Sequence, residues 1–223
     1  MGWVLKLLCL LLLPFTCPGQ QRSWELGIAG GAVHNFKTPL RIQQHDFAPI
    51  RLDARYRTEP FNPPVYYDIR VSTWREATGW EIKLTHHKLI LHNKPPEVQR
   101  FSITDGFNLL TLNRMWLSKG LTWSAGAGLV ITHPESTIRN QPFPENRGIL
   151  NKGYYISGPT LEAAVSKRHY FTDRWYVLGE GRITGSYVQV PVADGYARVT
   201  NVALHALVGI GLRLNRLPQN TPE

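Results

Sequence analysis

Three places in the sequence carry side chains that could do chemistry. The stretch 85–88 reads Thr-His-His-Lys, Asp105 is followed by a glycine, and His133 comes later in the chain. Imidazoles and carboxylates together can move protons or bind a divalent metal ion. The spacing matches no recognised metal motif, so a solvated loop edge is the alternative interpretation. We take His86, Asp105 and His133 as candidate catalytic residues, with any metal unknown.

Other active-site patterns are absent from the sequence. It contains no nucleophile elbow, no zinc-protease motif, no phosphate-binding glycine loop and no dinucleotide fingerprint. Its two cysteines, Cys9 and Cys17, both lie near the N-terminus, in a segment that we expect to be removed. The mature chain would then have no disulfide, no cysteine metal ligand and no thiol nucleophile. Cofactors are therefore unknown.

The N-terminal segment has the features of an export signal. Lys6 precedes an apolar run at 7–13 that is too short to span a bilayer as a helix, and Pro14 ends it. We predict a signal peptide at 1–19, a barrel domain at 20–215 and a polar tail at 216–223. A lipoprotein signal centred on Cys17 and an uncleaved anchor are the alternatives. After residue 20 no apolar run approaches the length of a membrane-spanning helix.

Period-two alternation of apolar and polar residues recurs along the rest of the chain and indicates strands. Eight segments show it, and the last has an unbroken apolar face from Val202 to Leu212. The predicted strands are Trp24–His34, Tyr66–Trp74, Gly79–Leu91, Ile103–Leu117, Leu121–Thr132, Tyr155–Lys167, Trp175–Val190 and Ala197–Leu214. Residues 50–57 also alternate, and they either extend the second strand or form a separate external strand.

The lengths of the predicted connections alternate along the chain. Those at 35–65, 92–102, 133–154 and 191–196 are longer, and those at 75–78, 118–120 and 168–174 are short. A transmembrane barrel has this pattern, with short periplasmic turns and longer external loops. A soluble sandwich gives no reason for every long loop to lie at one end.

The tryptophans also indicate a membrane barrel. Trp3 lies in the signal peptide, and the other six border the short turns or open the first strand: Trp24, Trp74, Trp80, Trp116, Trp123 and Trp175. Folded as predicted, all six lie at the periplasmic end, where barrels carry girdles of interfacial aromatic residues. Core tryptophans of a soluble β-protein are the alternative.

Together these patterns predict an all-β fold: an eight-stranded antiparallel transmembrane β-barrel with short periplasmic turns and longer extracellular loops. In lipid only helices and closed barrels satisfy every backbone polar group internally. Eight strands enclose an interior that side chains just fill. We therefore expect a porin-like fold without a water-filled pore, located in the bacterial outer membrane.

Side-chain parity assigns polar residues to the lumen. If the apolar positions face lipid, the lumen receives Asp68, Arg70, Glu81, Lys83, Thr85, Thr160, Glu162, Ser166, Glu180, Arg182, Thr184, Asn201, His205 and Arg213. In the fourth strand we place Leu110 and Leu112 outward, which puts Asp105, Thr111 and Asn113 inside. We expect Glu180 to pair with Arg182 and Glu162 with His205, because unpaired buried charges are costly. Structural packing alone is the alternative to any functional role for this polar network.

Net charge and side-chain parity together indicate which partners the protein surface contacts. Lys and Arg number 25 and Asp and Glu 16, a net charge of +9. An exported chain seldom meets nucleic acid, so we expect no nucleic-acid partner and instead contact with outer-membrane lipid and lipopolysaccharide. Outward parity places His86 and Lys88 on the lipid side near the headgroups, where Lys88 could contact a lipid phosphate. The oligomeric state is unknown.

Several stretches resemble the outer-membrane β-barrel proteins grouped with bacterial lipid A oxidase. They span most of 79–214: Gly79-Trp80-Glu81 leading to Leu84-Thr85-His86-His87-Lys88, FSITDGFNLLTLN at 101–113, Ala125-Gly126-Ala127-Gly128 running to His133-Pro134-Glu135, Gly158-Pro159, Gly179-Glu180-Gly181-Arg182, and Asn201 to Gly211. The resemblance implies an oxygen-dependent oxidation of the proximal glucosamine of lipid A.

Two classes of function therefore compete. One is a non-enzymatic barrel with a structural or surface-interaction role in the outer membrane. The other is a lipid A-modifying enzyme, in which His86, Asp105 and His133 act on protons or a metal and Lys88 anchors a phosphate. The first is favoured because a filled eight-stranded barrel has no large pocket; whether the protein is an enzyme is left open.

Overall fold

The computed structural model describes residues 22–144 and 148–215. The predicted signal peptide at 1–19 and the polar tail at 216–223 lie outside the described residues. No helix in the described ranges is long and apolar enough to cross a membrane.

Within the described ranges the chain forms strands joined by turns and loops. In chain order they are β1 Ser23–Asn35, β2 Thr38–Gln44, β3 Ile50–Ala54, β4 Tyr56–Arg57, β5 Tyr67–Arg75, β6 Thr78–Leu91, β7 Val98–Ser118, β8 Leu121–Ile138, β9 Gln141–Pro142, β10 Tyr155–Tyr170, β11 Trp175–Val192 and β12 Gly195–Arg213.

Eight of these strands close into a ring. The hydrogen-bonded order is β1, β5, β6, β7, β8, β10, β11 and β12, and β12 pairs back onto β1 from Glu25↔Arg213 to Asn35↔Ala203. Every pair in the ring is antiparallel. The predicted eight-stranded antiparallel barrel is therefore confirmed.

The lower part of the wall is apolar outside and polar inside. Ile82 is 54% exposed, Leu112 51% and Val208 74%, whereas Lys83, Thr111 and Asn201 are buried. Because successive side chains point to opposite faces of a strand, this is the alternation that the sequence predicted. Leu110 and Leu112 point outward, and Thr111 and Asn113 are buried as expected.

Above this belt the polarity inverts. The outer ends of β6, β7, β8, β11 and β12, together with β2, β3, β4 and β9, form what we call the external cap. Its interior is apolar and fully enclosed, with Leu40, Ile42, Leu91, Phe101 and Val190 among its core residues. In water an apolar interior is the stable arrangement, whereas in lipid the apolar side chains face outward.

The cap changes several predicted connections. β7 begins at Val98 rather than at Ile103, and β8 continues to Ile138 rather than ending at Thr132. The predicted long loop at 191–196 is mostly strand, because β11 and β12 pair as far as Val192↔Gly195. Residues 50–57 form β3, which pairs with β2, and β4, which pairs with the outer end of β6. The barrel wall therefore continues into the cap, above the belt of outward-facing apolar side chains.

The tryptophans lie at one end of the barrel, as predicted. Ser23↔Trp74, Trp116↔Trp123 and Trp175↔Leu212 are cross-strand partners at the end of the short turns. Trp24, Trp80, Trp116, Trp123 and Trp175 are exposed on the outer surface, as in an aromatic girdle. Trp74 instead turns toward the barrel mouth, where its Nε1 donates to Glu25 Oε2 at 3.2 Å.

Candidate functional site

An irregularity in β7 creates the site with the most reactive side chains. The β7–β8 register runs from Ile103↔Pro134 to Phe107↔Thr132. Between these pairs β7 advances by four residues and β8 by only two, so β7 contains a bulge. Gly106 makes this possible, since its φ of +144° is one that other residues rarely adopt. The bulge pushes Asp105 to the exposed surface. The prediction that Asp105 faces the lumen is therefore wrong, because strand parity fails across a bulge.

Three potential metal ligands converge at this bulge. Asp105, His133 and Glu135 each offer a ligand atom, and these atoms all lie within 4.8 Å of one another. His133 and Glu135 are each 7% exposed, whereas Asp105 is open to solvent. We call these three residues the rim site. Sequence reasoning did not select Glu135, although it follows His133 by two residues and so shares its face of β8.

Neighbouring side chains hold the rim site in place. The Thr104 hydroxyl donates to Glu135 Oε1, and Arg100 forms an ion pair with Glu135 Oε2. The Tyr154 hydroxyl donates to the Asp105 carbonyl oxygen at 3.3 Å, and its ring packs edge-on against His133 with centroids 5.0 Å apart. Burial raises the pKa of Tyr154, and the negative charge of Asp105 raises it further, so this hydroxyl stays protonated and can donate.

His86 is not part of the rim site. Its ring stacks on Tyr67, with centroids 4.9 Å apart and planes 6° from parallel, and its Nδ1 is hydrogen-bonded to Asn108 Oδ1 at 2.8 Å. It does line a groove next to the rim site. This rim groove has a volume of about 380 Å³ and is lined by Pro64, Tyr67, His86, Asp105, Asn108 and Tyr154. Of the three predicted catalytic residues, the structure brings Asp105 and His133 together and places His86 beside them.

Lys88 is covered by the loop that precedes β5. It is 5% exposed, and its Nζ donates to the carbonyl oxygens of Asn62 at 2.9 Å and Pro63 at 3.0 Å. Contact with a lipid phosphate, as predicted from parity, would require this loop to move away. His87 lies on the inner side, packed against Phe107 and His205.

A network of buried ion pairs fills the lumen. Arg182 Nη2 lies 2.7 Å from Asp68 Oδ2, and Lys83 Nζ lies 3.0 Å from Glu162 Oε1. Nearer the periplasmic mouth, Arg168 Nη1 lies 2.8 Å from Glu25 Oε2. In the described residues this lumen network comprises five cations and five carboxylates: Arg70, Lys83, Arg168, Arg182 and Arg213 with Glu25, Asp68, Glu81, Glu162 and Glu180.

The pairing differs in part from expectation. Glu180 does meet Arg182, with Oε1 3.2 Å from Nε. Glu162, however, pairs with Lys83 and Arg182 rather than with His205. The His205 ring is hydrogen-bonded to the Tyr66 hydroxyl at 3.1 Å and to Thr184 Oγ1 at 2.9 Å. Lys83 reaches Glu162 across the lumen from β6, and Arg182 reaches it from the neighbouring β11, which parity alone could not show.

The remaining lumen positions are also buried and mostly bonded to one another. Asn201 Nδ2 donates to Asn35 Oδ1 at 2.8 Å, and Ser186 Oγ donates to Thr160 Oγ1 at 2.9 Å. Thr85 donates to Asp68 Oδ2 at 2.7 Å. The lumen charges thus neutralise one another. An open pocket of about 380 Å³ at the periplasmic mouth reaches Glu25, Arg168 and Arg213, whereas the rim site opens at the other end.

Comparison with known proteins places this architecture in a structural class. No family model and no curated protein sequence matches the chain. The fold is similar to that of the outer membrane protein AlkL, solved by solid-state NMR in DMPC bilayers, with a TM-score of 0.51 and 9% identity over 93% of this chain and 96% of that one. OprG from Pseudomonas aeruginosa matches with a TM-score of 0.45 and 11% identity, over 88% of this chain and 98% of that one.

The closed ring of eight strands and the likeness to AlkL give this chain the fold of the outer-membrane β-barrels. At 9% identity the likeness to AlkL establishes the architecture alone.

Proposed function

We propose that this protein resides in the bacterial outer membrane as a sealed barrel that presents its external cap and outer rim to the outer leaflet. The inversion of polarity along the barrel axis supports this proposal. The lower wall is apolar outside and charged inside, while the cap is apolar inside. A soluble barrel would expose the lower belt to water at a large free-energy cost.

The test is fractionation together with heat modifiability. The expressed protein should separate with the outer membrane, and without boiling it should run in electrophoresis as a compact band that shifts on heating. Recovery as a soluble periplasmic protein would overturn the proposal.

Within this role, we propose that the cap contacts the phosphate groups of lipopolysaccharide. Cross-strand register places three arginines side by side: Arg198↔Arg41 between β12 and β2, and Arg41↔Arg51 between β2 and β3. We call these the arginine row. Within residues 22–144 and 148–215, none of the three forms an ion pair with a carboxylate.

Like charges directly opposite one another destabilise a sheet. A phosphate bound across the arginine row would relieve this repulsion, because guanidinium groups bind phosphate through paired hydrogen bonds. The height of the row is suitable. Arg198 lies six residues along β12 from the outward-facing Leu204, which is about 20 Å of strand. This distance supports contact with lipid headgroups and inner sugars.

Binding of purified lipopolysaccharide to the detergent-solubilised barrel tests this contact. Replacing Arg41, Arg51 and Arg198 by Gln should weaken binding by about tenfold or more and reduce its dependence on salt. The control removes three exposed positive charges at the periplasmic end: Arg75, Lys119 and Arg174, each changed to Gln. Equal losses in both triple variants would mean that net charge alone matters, and this would refute a specific site.

The second candidate function is a lipid A-modifying enzyme, as the resemblance to lipid A oxidase implies. One observation favours it: the rim groove lies directly above the lipid-facing belt, since its Asn108 follows the outward row of Leu112 and Leu110. A lipid headgroup would therefore sit next to Asp105 and His133.

Mass spectrometry of lipid A from oxygen-grown cells with and without the protein decides between the candidates. A gain of one oxygen that disappears in His133→Ala or His86→Ala would support the enzyme. Unchanged lipid A across several hosts would leave the non-enzymatic function.

A further inference from the structure

We propose that the rim site binds a divalent transition-metal ion of the Zn²⁺ class, independently of any contact with lipopolysaccharide. The site supplies one imidazole and two carboxylates from Asp105, His133 and Glu135. Zn²⁺ forms bonds of about 2.0–2.2 Å to such ligands. Donor atoms that already lie within 4.8 Å of one another can close on such an ion through shifts of about 1 Å.

The state of His133 provides the independent indication of a ligand. Its side chain is almost fully buried, and its Nδ1 has no hydrogen-bond partner in the described part of the chain. An unsatisfied buried polar atom costs about 1–3 kcal/mol. A metal ion bound to Nδ1 and to the two neighbouring carboxylates would remove this cost.

Charge at the site also favours a cation. Two carboxylates face each other across the bulge, and Arg100 compensates only Glu135. The Arg100 and Thr104 contacts fix the Glu135 carboxylate from outside the cluster, as supporting residues do in known metal sites. Asp105 is solvent-exposed and forms no ion pair within the described residues, so it would bring a second negative charge to the ion without losing a salt bridge seen there.

The donor set selects the kind of metal. Imidazole is a preferred ligand of zinc and its neighbours, whereas Ca²⁺ takes six to eight oxygen donors and Mg²⁺ keeps an octahedral shell of oxygens. Three protein ligands leave a position of the tetrahedron open. Because Asp105 also lines the rim groove, that position would face the groove and could hold water or an anionic oxygen.

The experiment measures Zn²⁺ binding to the folded barrel, purified in detergent without a polyhistidine tag. Isothermal titration and competition with a chromogenic chelator should give one ion per chain. Loss of a residue that only supports a ligand typically weakens metal binding by about 10- to 100-fold. His133→Ala removes a ligand itself and should weaken binding by more than this. Asp105→Asn should weaken it too. Ca²⁺ and Mg²⁺ at the same concentrations should not compete.

A matched control comes from an exposed histidine–carboxylate pair on the cap. His45 Nδ1 lies 2.8 Å from Asp46 Oδ2, and both side chains are largely exposed. The double variant His45→Ala, Asp46→Asn should bind Zn²⁺ like the unchanged protein. Heat-modifiable migration shows for each variant that the barrel is folded, so a folding defect is not mistaken for the loss of a ligand.

Two results would overturn the proposal. One is that folded, unchanged protein binds no Zn²⁺ at millimolar concentration. The other is that His133→Ala binds as tightly as the unchanged protein. Neither result bears on membrane insertion, which fractionation tests separately.

Discussion

At the residue scale, the buried charges of the lumen act as a set. Lys83 Nζ lies 3.0 Å from Glu162, 3.3 Å from Glu81 and 3.5 Å from Glu180. Replacing a complete buried ion pair by apolar residues can be neutral, but removal of one partner leaves a charge without compensation. The contribution of Lys83 is therefore chiefly that it neutralises three neighbouring carboxylates.

Lys83→Met should destabilise the barrel by about 3–5 kcal/mol, because it leaves those carboxylates short of one positive charge. Urea unfolding in lipid or detergent, followed by the heat-modifiable band, measures the change. Lys167→Met removes an exposed lysine and should stay within about 0.5 kcal/mol of the unchanged protein. Similar effects of the two substitutions would show that the lumen network is not needed for stability.

At the scale of elements, the β7 bulge depends on Gly106. A Cβ atom there would lie 2.0 Å from Asn108 Nδ2, in addition to the strain of the positive φ. Gly120 also has a positive φ of +74°, but a Cβ there would meet nothing within 4 Å. The two positions differ in two ways: the φ of Gly106 lies much farther from the left-handed helical region than that of Gly120, and only at Gly106 would a Cβ also displace the Asn108 side chain.

Gly120→Ala should cost about 1 kcal/mol from strain alone, and Gly106→Ala about 2–3 kcal/mol or more. Unfolding measurements on both variants test this. Gly106→Ala should also displace Asp105, the one rim-site residue that the bulge itself positions. Equal costs at the two positions would contradict a bulge that depends on the backbone conformation of Gly106.

The external cap is a second element-scale feature with its own core. Ile42 is fully buried there, whereas Ile82 faces outward on the lower belt. Truncation of a buried isoleucine to alanine costs about 2–5 kcal/mol, since it leaves a cavity.

Ile42→Ala should loosen the cap and make residues 36–57 more sensitive to added protease, while the barrel band still shifts on heating. Ile82→Ala, which removes a lipid-facing side chain, should leave protease sensitivity of the cap unchanged. Collapse of the whole barrel in Ile42→Ala would show that cap and barrel unfold as one unit.

At the scale of the whole molecule, the path along the barrel axis is blocked at two levels. The lumen network fills its lower half, and the apolar core of the cap closes the outer half. The interior of an eight-stranded barrel is just wide enough for side chains to fill it.

Reconstituted in a planar bilayer, the protein should show no steady ion conductance. A large open porin, whose lumen holds water, serves as the positive control. Stable, salt-dependent current steps from the pure protein would contradict a sealed interior. A substitution that removes the charge of Arg182 while Asp68 is retained should not open a pore, because the apolar core of the cap would still block the barrel axis.

The sequence by itself determined the barrel, the end of the wall that carries the tryptophans, and most of the side chains in the lumen. The strands and the lumen side chains follow from local alternation, because a strand turns successive side chains to opposite faces wherever it lies. Tryptophans beside short turns similarly reveal one end of the wall, since indole prefers the membrane interface.

Only the tertiary structure decided what depends on neighbouring strands. The bulge that exposes Asp105 exists in the pairing of β7 with β8, and it is this pairing that brings Glu135 and His133 to Asp105. The loop over Lys88, the inward turn of Trp74 and the partner of Glu162 are likewise set by contacts distant in sequence. The alternation of residues along a strand determines which face a side chain occupies. The register between strands, and the bulges in it, determine which residues that side chain contacts.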